Sequence, residues 1–111
     1  VSVSNTNQLG SNDYLSALSE IEFLYSTIGD FKTMRKYLNL RYEIIQQYSA
    51  NNIKLQSRVN RDMASSLKDL KRYKEAINYY NKSIRFAEKG ISSSIDYQLK
   101  LNFLEDMELS F

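Results

Sequence analysis

Cysteine, histidine, tryptophan and proline are all missing from the 111 residues, and glycine occurs only three times. Without Cys or His there is no disulfide, no common zinc site, no Cys nucleophile and no His-based acid/base or triad chemistry. An enzyme would have to work with carboxylates, Lys, Tyr and Ser alone. Gly10, Gly29 and Gly90 are isolated, and none belongs to a Gly-rich run that could cradle a phosphate ahead of a helix. The absence of Pro lets helices run on without kinks and leaves turns to Gly, Asn, Asp and Ser. Charge of one sign is also scarce: the formal net charge is +2 with a quarter of the chain charged, so bulk charge does not mark a nucleic-acid binder. No apolar run is long enough to span a bilayer, and Val1-Ser-Val-Ser-Asn-Thr-Asn7 lacks the zones of a signal peptide. These exclusions lead us to expect a cytoplasmic, all-α, non-enzymatic protein with no cofactor, no metal and no membrane partner. Because residue 1 is Val, we expect a fragment of a longer protein.

What is present is helical periodicity. Residues 1–11 are polar, non-periodic and read as a disordered tail or linker remnant, leaving a single helical domain over 12–111. Asn12 or Asp13 can cap a first helix with its apolar face on Leu15, Leu18, Ile21, Leu24 or Tyr25, and Ile28, stopped by Gly29-Asp30. A second helix, from Phe31 to about Ser49, carries Met34, Leu38, Tyr42 and Ile45 beside Tyr37, Leu40, Ile44 and Tyr48. So wide an apolar face suits a helix held between neighbours. Asn51 or Asn52 can cap a third helix from Ile53 to about Leu70, burying Leu55, Val59, Met63, Leu67 and Leu70. A fourth, Tyr73 to Lys89, buries Ala76, Ile77, Tyr80, Ile84 and Ala87 and ends at Gly90 as its C-cap. A fifth, roughly Ser94 to Glu108, follows behind Ser92 to Ser94 as caps. Repeat one then covers about 12–49, repeat two about 53–89, and an extra helix about 94–108.

The small and large apolar residues of the second repeat follow a known pattern. Met63, Ala64, Leu67, Tyr73, Ala76, Tyr80 and Ser83 take positions 7, 8, 11, 17, 20, 24 and 27 of a 34-residue motif, and on them the chain resembles the tetratricopeptide (TPR) family. The resemblance implies antiparallel helix-turn-helix repeats in a short right-handed solenoid, in which small residues let paired helices approach closely and aromatics fill the gap to the next pair. The first repeat departs from the motif. Phe31 answers Tyr73 at an offset of about 42 residues, Met34 stands at the small position 20, and Arg41 stands at position 27.

On the third helix Lys54, Arg58, Arg61, Ser65, Lys68 and Arg72 recur at steps of three and four, within one stripe, and all but Ser65 are cationic. The resemblance puts Arg58, Arg61, Ser65 and Lys68 on the concave groove, where a basic set could hold an acidic or C-terminal peptide group. A solvated cationic face partnered by carboxylates explains the same pattern, and a phosphate-backbone contact is a third reading, diluted by Asp62 and Asp69. The family's carboxylate clamp is absent: Asp62 and Ser65 stand where it wants Asn, and the first repeat offers Ser16, Ser19 and Phe23. Nine tyrosines serve chiefly as packing, with Tyr48, Tyr79 and Tyr97 least constrained. The carboxylates of Glu105-Asp106-x-Glu108 read as a solvated helix end, since no partner acid faces them across a cleft.

The 42-residue spacing and the phrase Tyr79-Tyr-x-Lys-Ser-Ile-x-x-Ala-Glu-Lys-Gly90 resemble the helical repeat domains of bacterial peptide-pheromone regulators of the Rap, Rgg and PlcR groups. The resemblance implies the effector-binding, dimerising half of a transcriptional regulator. Two expectations follow. One is a protein- or peptide-binding scaffold that self-associates through its terminal helices, because two repeats leave apolar faces uncovered. The other is a nucleic-acid-associated helical domain contacting phosphates through Lys54, Arg58, Arg61, Lys68 and Arg72.

Overall fold

The computed structural model describes the backbone of residues 11–110 and the side chains of residues 11–91. All but one residue of the expected tail, and side-chain statements about Tyr97 and the acidic Glu105 to Glu108 segment, lie outside that range. Four α-helices follow in order: α1 (Asn12–Thr27), α2 (Phe31–Tyr48), α3 (Ile53–Asp69) and α4 (Tyr73–Ser110). They form two antiparallel hairpins, α1–α2 and α3–α4, joined by packing of α2 on α3.

The helix starts are set by side-chain oxygens that take up backbone N–H groups with no partner inside the helix. Ser11 accepts from the Tyr14 N–H, Asp30 from Thr33 and Asn52 from Leu55. The first cap is therefore Ser11 and not Asn12 or Asp13, which already lie in the first turn. Asn52 fills the role expected of it.

Both hairpins turn in the same way. After α1, Gly29 takes a left-handed conformation (φ 84°), and the Asp30 N–H reaches back to the Tyr25 carbonyl at 2.9 Å. After α3, Lys71 adopts φ 62°, and the Arg72 N–H reaches the Leu67 carbonyl at 2.9 Å. This Schellman closure falls at equivalent places of the 42-residue period. Gly adopts that backbone freely, whereas Lys71 holds it at a steric cost.

The expected break at Gly90 does not occur. One helix of 38 residues runs from Tyr73 to Ser110, so the fourth and fifth helices expected from the sequence are a single α4. Gly90 has no positive φ, and a Cβ placed on it would lie 3.2 Å from Ile53 Cγ2. The glycine lets α3 come close instead of capping α4. It is the third member of a series spaced by seven, Ala76, Ser83 and Gly90, that faces α3. There Ala76 is buried, Ser83 Oγ donates to the Ser57 carbonyl at 2.7 Å, and Ser57 Oγ donates to the Ser83 carbonyl at 3.3 Å.

The core lies where α1, α2 and α3 meet. Leu15, Leu18, Leu38, Ile44, Ile45 and Val59 are buried together, with Met34, Tyr37, Tyr42, Leu55 and Met63 packed around them. Tyr25 stacks on Tyr37 with centroids 5.8 Å apart, and Tyr42 meets Tyr79 edge-on at 5.7 Å. Of the alternatives Leu24 and Tyr25, Tyr25 is the one turned inward; several other residues expected inside are outside: Ile28 after α1, Leu40 and Tyr48 on α2, Leu70 after α3, and Ile77, Ile84 and Ala87 on α4. Ala76, also expected inside, is buried; with Ser83 and Gly90 it makes the inward face of α4, so the large Ile77 and Ile84 point elsewhere.

Candidate functional site

The centre of the site is a charge cluster built at the junction of three helices. Arg41 on α2 is buried and lies between Glu22 on α1 and Asp62 on α3. Its Nε donates to Glu22 Oε2 at 2.7 Å, while its Nη2 donates to Glu22 Oε1 at 3.1 Å and to Asp62 Oδ2 at 2.6 Å. The Glu22 arm is bidentate, the geometry in which a planar guanidinium best matches a carboxylate. Burial raises the Glu22 carboxyl above its ordinary value, with the Arg41 hydrogen bonds and charge pulling against that rise. For Arg41 the burial cost is outweighed by its two carboxylate partners, which hold it charged.

This cluster answers the anomaly noted at Arg41. At the 42-residue offset Glu22 corresponds to Ala64 and Arg41 to Ser83. The second hairpin pairs two small residues there, both buried; the first replaces them with two long charged ones that reach each other. Size and charge change together, which lets Arg41 stand where the second hairpin has a small residue.

Two cavities open on either side of Arg41, walled by α1 and α3 and floored by α2. The first, of ≈ 480 Å³, is lined by Ser16, Ser19 and Glu20 of α1, by Arg41 and Ile45, and by Lys54, Leu55 and Arg58 of α3. The second, of ≈ 310 Å³, has Phe23 and Ser26 on one wall, Asp62, Ser65 and Asp69 on the other, and Phe31, Met34 and Leu38 at its base. Together they make a groove with a cationic half and a half that is apolar and acidic, divided by the Arg41 cluster.

The sequence-derived stripe is split by this geometry. Lys54, Arg58, Arg61, Ser65 and Lys68 are all exposed on α3. Lys54 and Arg58 line the first cavity and Ser65 the second, opposite Ser16, Ser19 and Phe23. Arg61 and Lys68 line neither. Arg72 sits beyond the end of α3, where its Nε and Nη2 each donate at 2.7 Å to Glu75 at the start of α4. Sequence reasoning named Arg41 and Asp62 as departures without joining them, and it passed over Glu22. The signal was available in the coupled change of Glu22 and Arg41 against Ala64 and Ser83.

Among the described residues no group of three or more His, Cys, Asp or Glu side chains is placed to hold a metal ion, and no helix is long and apolar enough to cross a membrane. Comparison with protein-family models, curated proteins and solved structures gives no match.

Proposed function

We propose that the chain is a non-enzymatic scaffold of TPR-like, right-handed solenoid type that binds a peptide or partner helix in the groove between α1 and α3. The observation that carries this reading is the groove's division into unlike halves. Lys54 and Arg58 face Ser16 and Ser19 on one side of Arg41, and Phe23, Phe31 and Met34 stand on the other. An extended segment with an acidic group in the first half and an apolar side chain over the second matches both. Ordered, bidentate Arg41 gives the groove a fixed centre, so little is lost in ordering the site on binding.

The wider reading, a fragment of a regulator similar to the peptide-pheromone group, rests on the 42-residue spacing and the Tyr79 to Gly90 phrase. Self-association is supported by α4, whose Tyr73, Ile77, Ile84 and Ile91 are more than half exposed at steps of four and seven along the helix. For the phosphate-contact alternative the five cations do not make one surface: Lys54 and Arg58 line the groove beside Glu20, Arg61 and Lys68 lie outside it, and Arg72 is paired with Glu75.

Selection from a random peptide library tests the scaffold reading. Enriched peptides should carry an acidic residue and lose at least about tenfold in affinity with Lys54→Glu/Arg58→Glu, while Arg61→Glu/Lys68→Glu has a smaller effect. A library that yields no binder, or binders indifferent to Lys54 and Arg58, overturns it.

A further inference from the structure

Away from the groove, α2, α3 and α4 enclose a third cavity of ≈ 310 Å³, at the lower end of the range for small-molecule sites. Its lining is graded by depth. Gln56 and Asn60 of α3, both almost fully buried, make the floor; Tyr42, Gln46 and Phe86 are half-buried walls; Lys82, Arg85 and Lys89 of α4 form an exposed rim. No carboxylate lines it, unlike the two halves of the groove, where acids offset the cations.

The floor is wired so that one acceptor is left over. Gln46 and Gln56 exchange side-chain amide hydrogen bonds at 2.8 and 3.1 Å, and Gln56 Nε2 also donates to the Ala50 carbonyl at 3.1 Å. Asn60 Nδ2 donates to the Gln56 carbonyl at 2.8 Å and to Gln56 Oε1 at 3.3 Å. These bonds fix which end of the Asn60 amide is the oxygen. That Oδ1 has no hydrogen-bond partner, although the residue is only 1% exposed. A buried acceptor left unpaired is destabilising, so it favours an occupant that brings an N–H or O–H to it. At the rim, Lys82 Nζ lies 5.0 Å from the Tyr79 ring centroid and Lys89 Nζ 5.6 Å from that of Phe86, which holds both ammonium groups near the mouth.

We infer that this cavity binds a small free carboxylate that carries a hydrogen-bond donor on an apolar body: the carboxylate at Lys82, Arg85 and Lys89, the body between Tyr42 and Phe86, and the donor on Asn60 Oδ1. The site stands independently of peptide binding between α1 and α3.

Titrating ¹⁵N-labelled protein with 4-hydroxyphenylacetate, 4-hydroxybenzoate and indole-3-acetate, each against its own carboxamide, tests the assignment. At least one acid should give saturable shifts at the side-chain amides of Asn60, Gln46 and Gln56, with its carboxamide about tenfold weaker. Arg85→Gln/Lys89→Gln should weaken the acid by a similar factor at an unchanged thermal midpoint, because both side chains are exposed. Phenylacetate, lacking the hydroxyl, should bind several-fold more weakly than 4-hydroxyphenylacetate. The inference is overturned by no saturable shift at about 10 mM, by equal binding of acid and amide, or by shifts centred on Ser16, Ser19 and Arg58. Binding of the same group only when it ends a peptide, and not as the free acid, also overturns it.

Discussion

Arg41 shows at the scale of one residue how a helical hairpin absorbs a long charged side chain. A guanidinium stripped of water is costly, and here the cost is offset by two carboxylates supplied from different helices. Breaking such a buried pair from one side leaves an uncompensated charge. Arg41→Met should therefore lower stability by about 3–5 kcal/mol in urea unfolding. Replacing both partners with the residues of the second hairpin, Glu22→Ala/Arg41→Ser, should cost less than the two single changes summed, with a coupling of about 1–3 kcal/mol. Strict additivity would mean the two side chains do not act as a pair. Asp30 provides a second single-residue test. The Thr33 side chain and backbone N–H hold its carboxyl below the usual value of 3.8. A depressed carboxylate binds its proton less readily folded than unfolded, so its contribution is complete above the ordinary Asp range and fades as pH falls through the lowered value. The difference in thermal midpoint between the native protein and Asp30→Ala should shrink on acidification below about pH 4; a gap that widens instead would remove Asp30 as the cap of α2.

Helix ends and helix faces were not equally legible in the sequence. Starts and turns were legible where a short polar side chain or Gly sits at the boundary, as at Asn52 and Gly29. They were missed where a residue acts against its type: Lys71 takes the left-handed position that Gly29 holds in the first hairpin, and Gly90 lies inside α4 although a glycine after Glu88-Lys89 has the form of a cap. A glycine in a helix costs about 1 kcal/mol against alanine, and what offsets it is the close passage of Ile53, a contact between residues 37 positions apart that local pattern cannot display. Gly90→Leu should accordingly destabilise by about 1–3 kcal/mol, and Ile53→Ala should relieve part of that penalty. If Gly90→Leu is tolerated without loss, α3 does not approach α4 there. The inward face of α4 was read in part: Ala76 was expected inside and is buried, whereas Ile77 and Ile84 were expected inside and are exposed. Hydrophobic periodicity points to Ile77 and Ile84, whereas the packed seam runs through Ala76, Ser83 and Gly90.

For the whole molecule, two like hairpins stack so that α1 and α3 stand side by side over α2, and the groove between them follows from that arrangement. The hairpin plan was readable from the 42-residue period. The groove's lining was only half readable, because a stripe on one helix says nothing of what faces it: Lys54, Arg58 and Ser65 stand opposite Ser16, Ser19 and Phe23, whereas Arg61 and Lys68 line neither cavity. The exposed stripe of Tyr73, Ile77 and Ile84 should make the protein associate at high concentration, and sedimentation equilibrium on Ile77→Lys/Ile84→Lys should return a monomer. A native protein that stays monomeric at millimolar concentration would leave that stripe without a role in assembly. The claim on which the account rests is that ligand lies between α1 and α3, and its most direct test is residue-resolved NMR mapping of a library-selected peptide on the whole chain. Perturbations should run along Ser16, Ser19 and Phe23 and along Lys54, Arg58 and Ser65, on both sides of Arg41. A footprint confined to the outer stripe of α4, leaving α1 and the groove side of α3 unmoved, would contradict it.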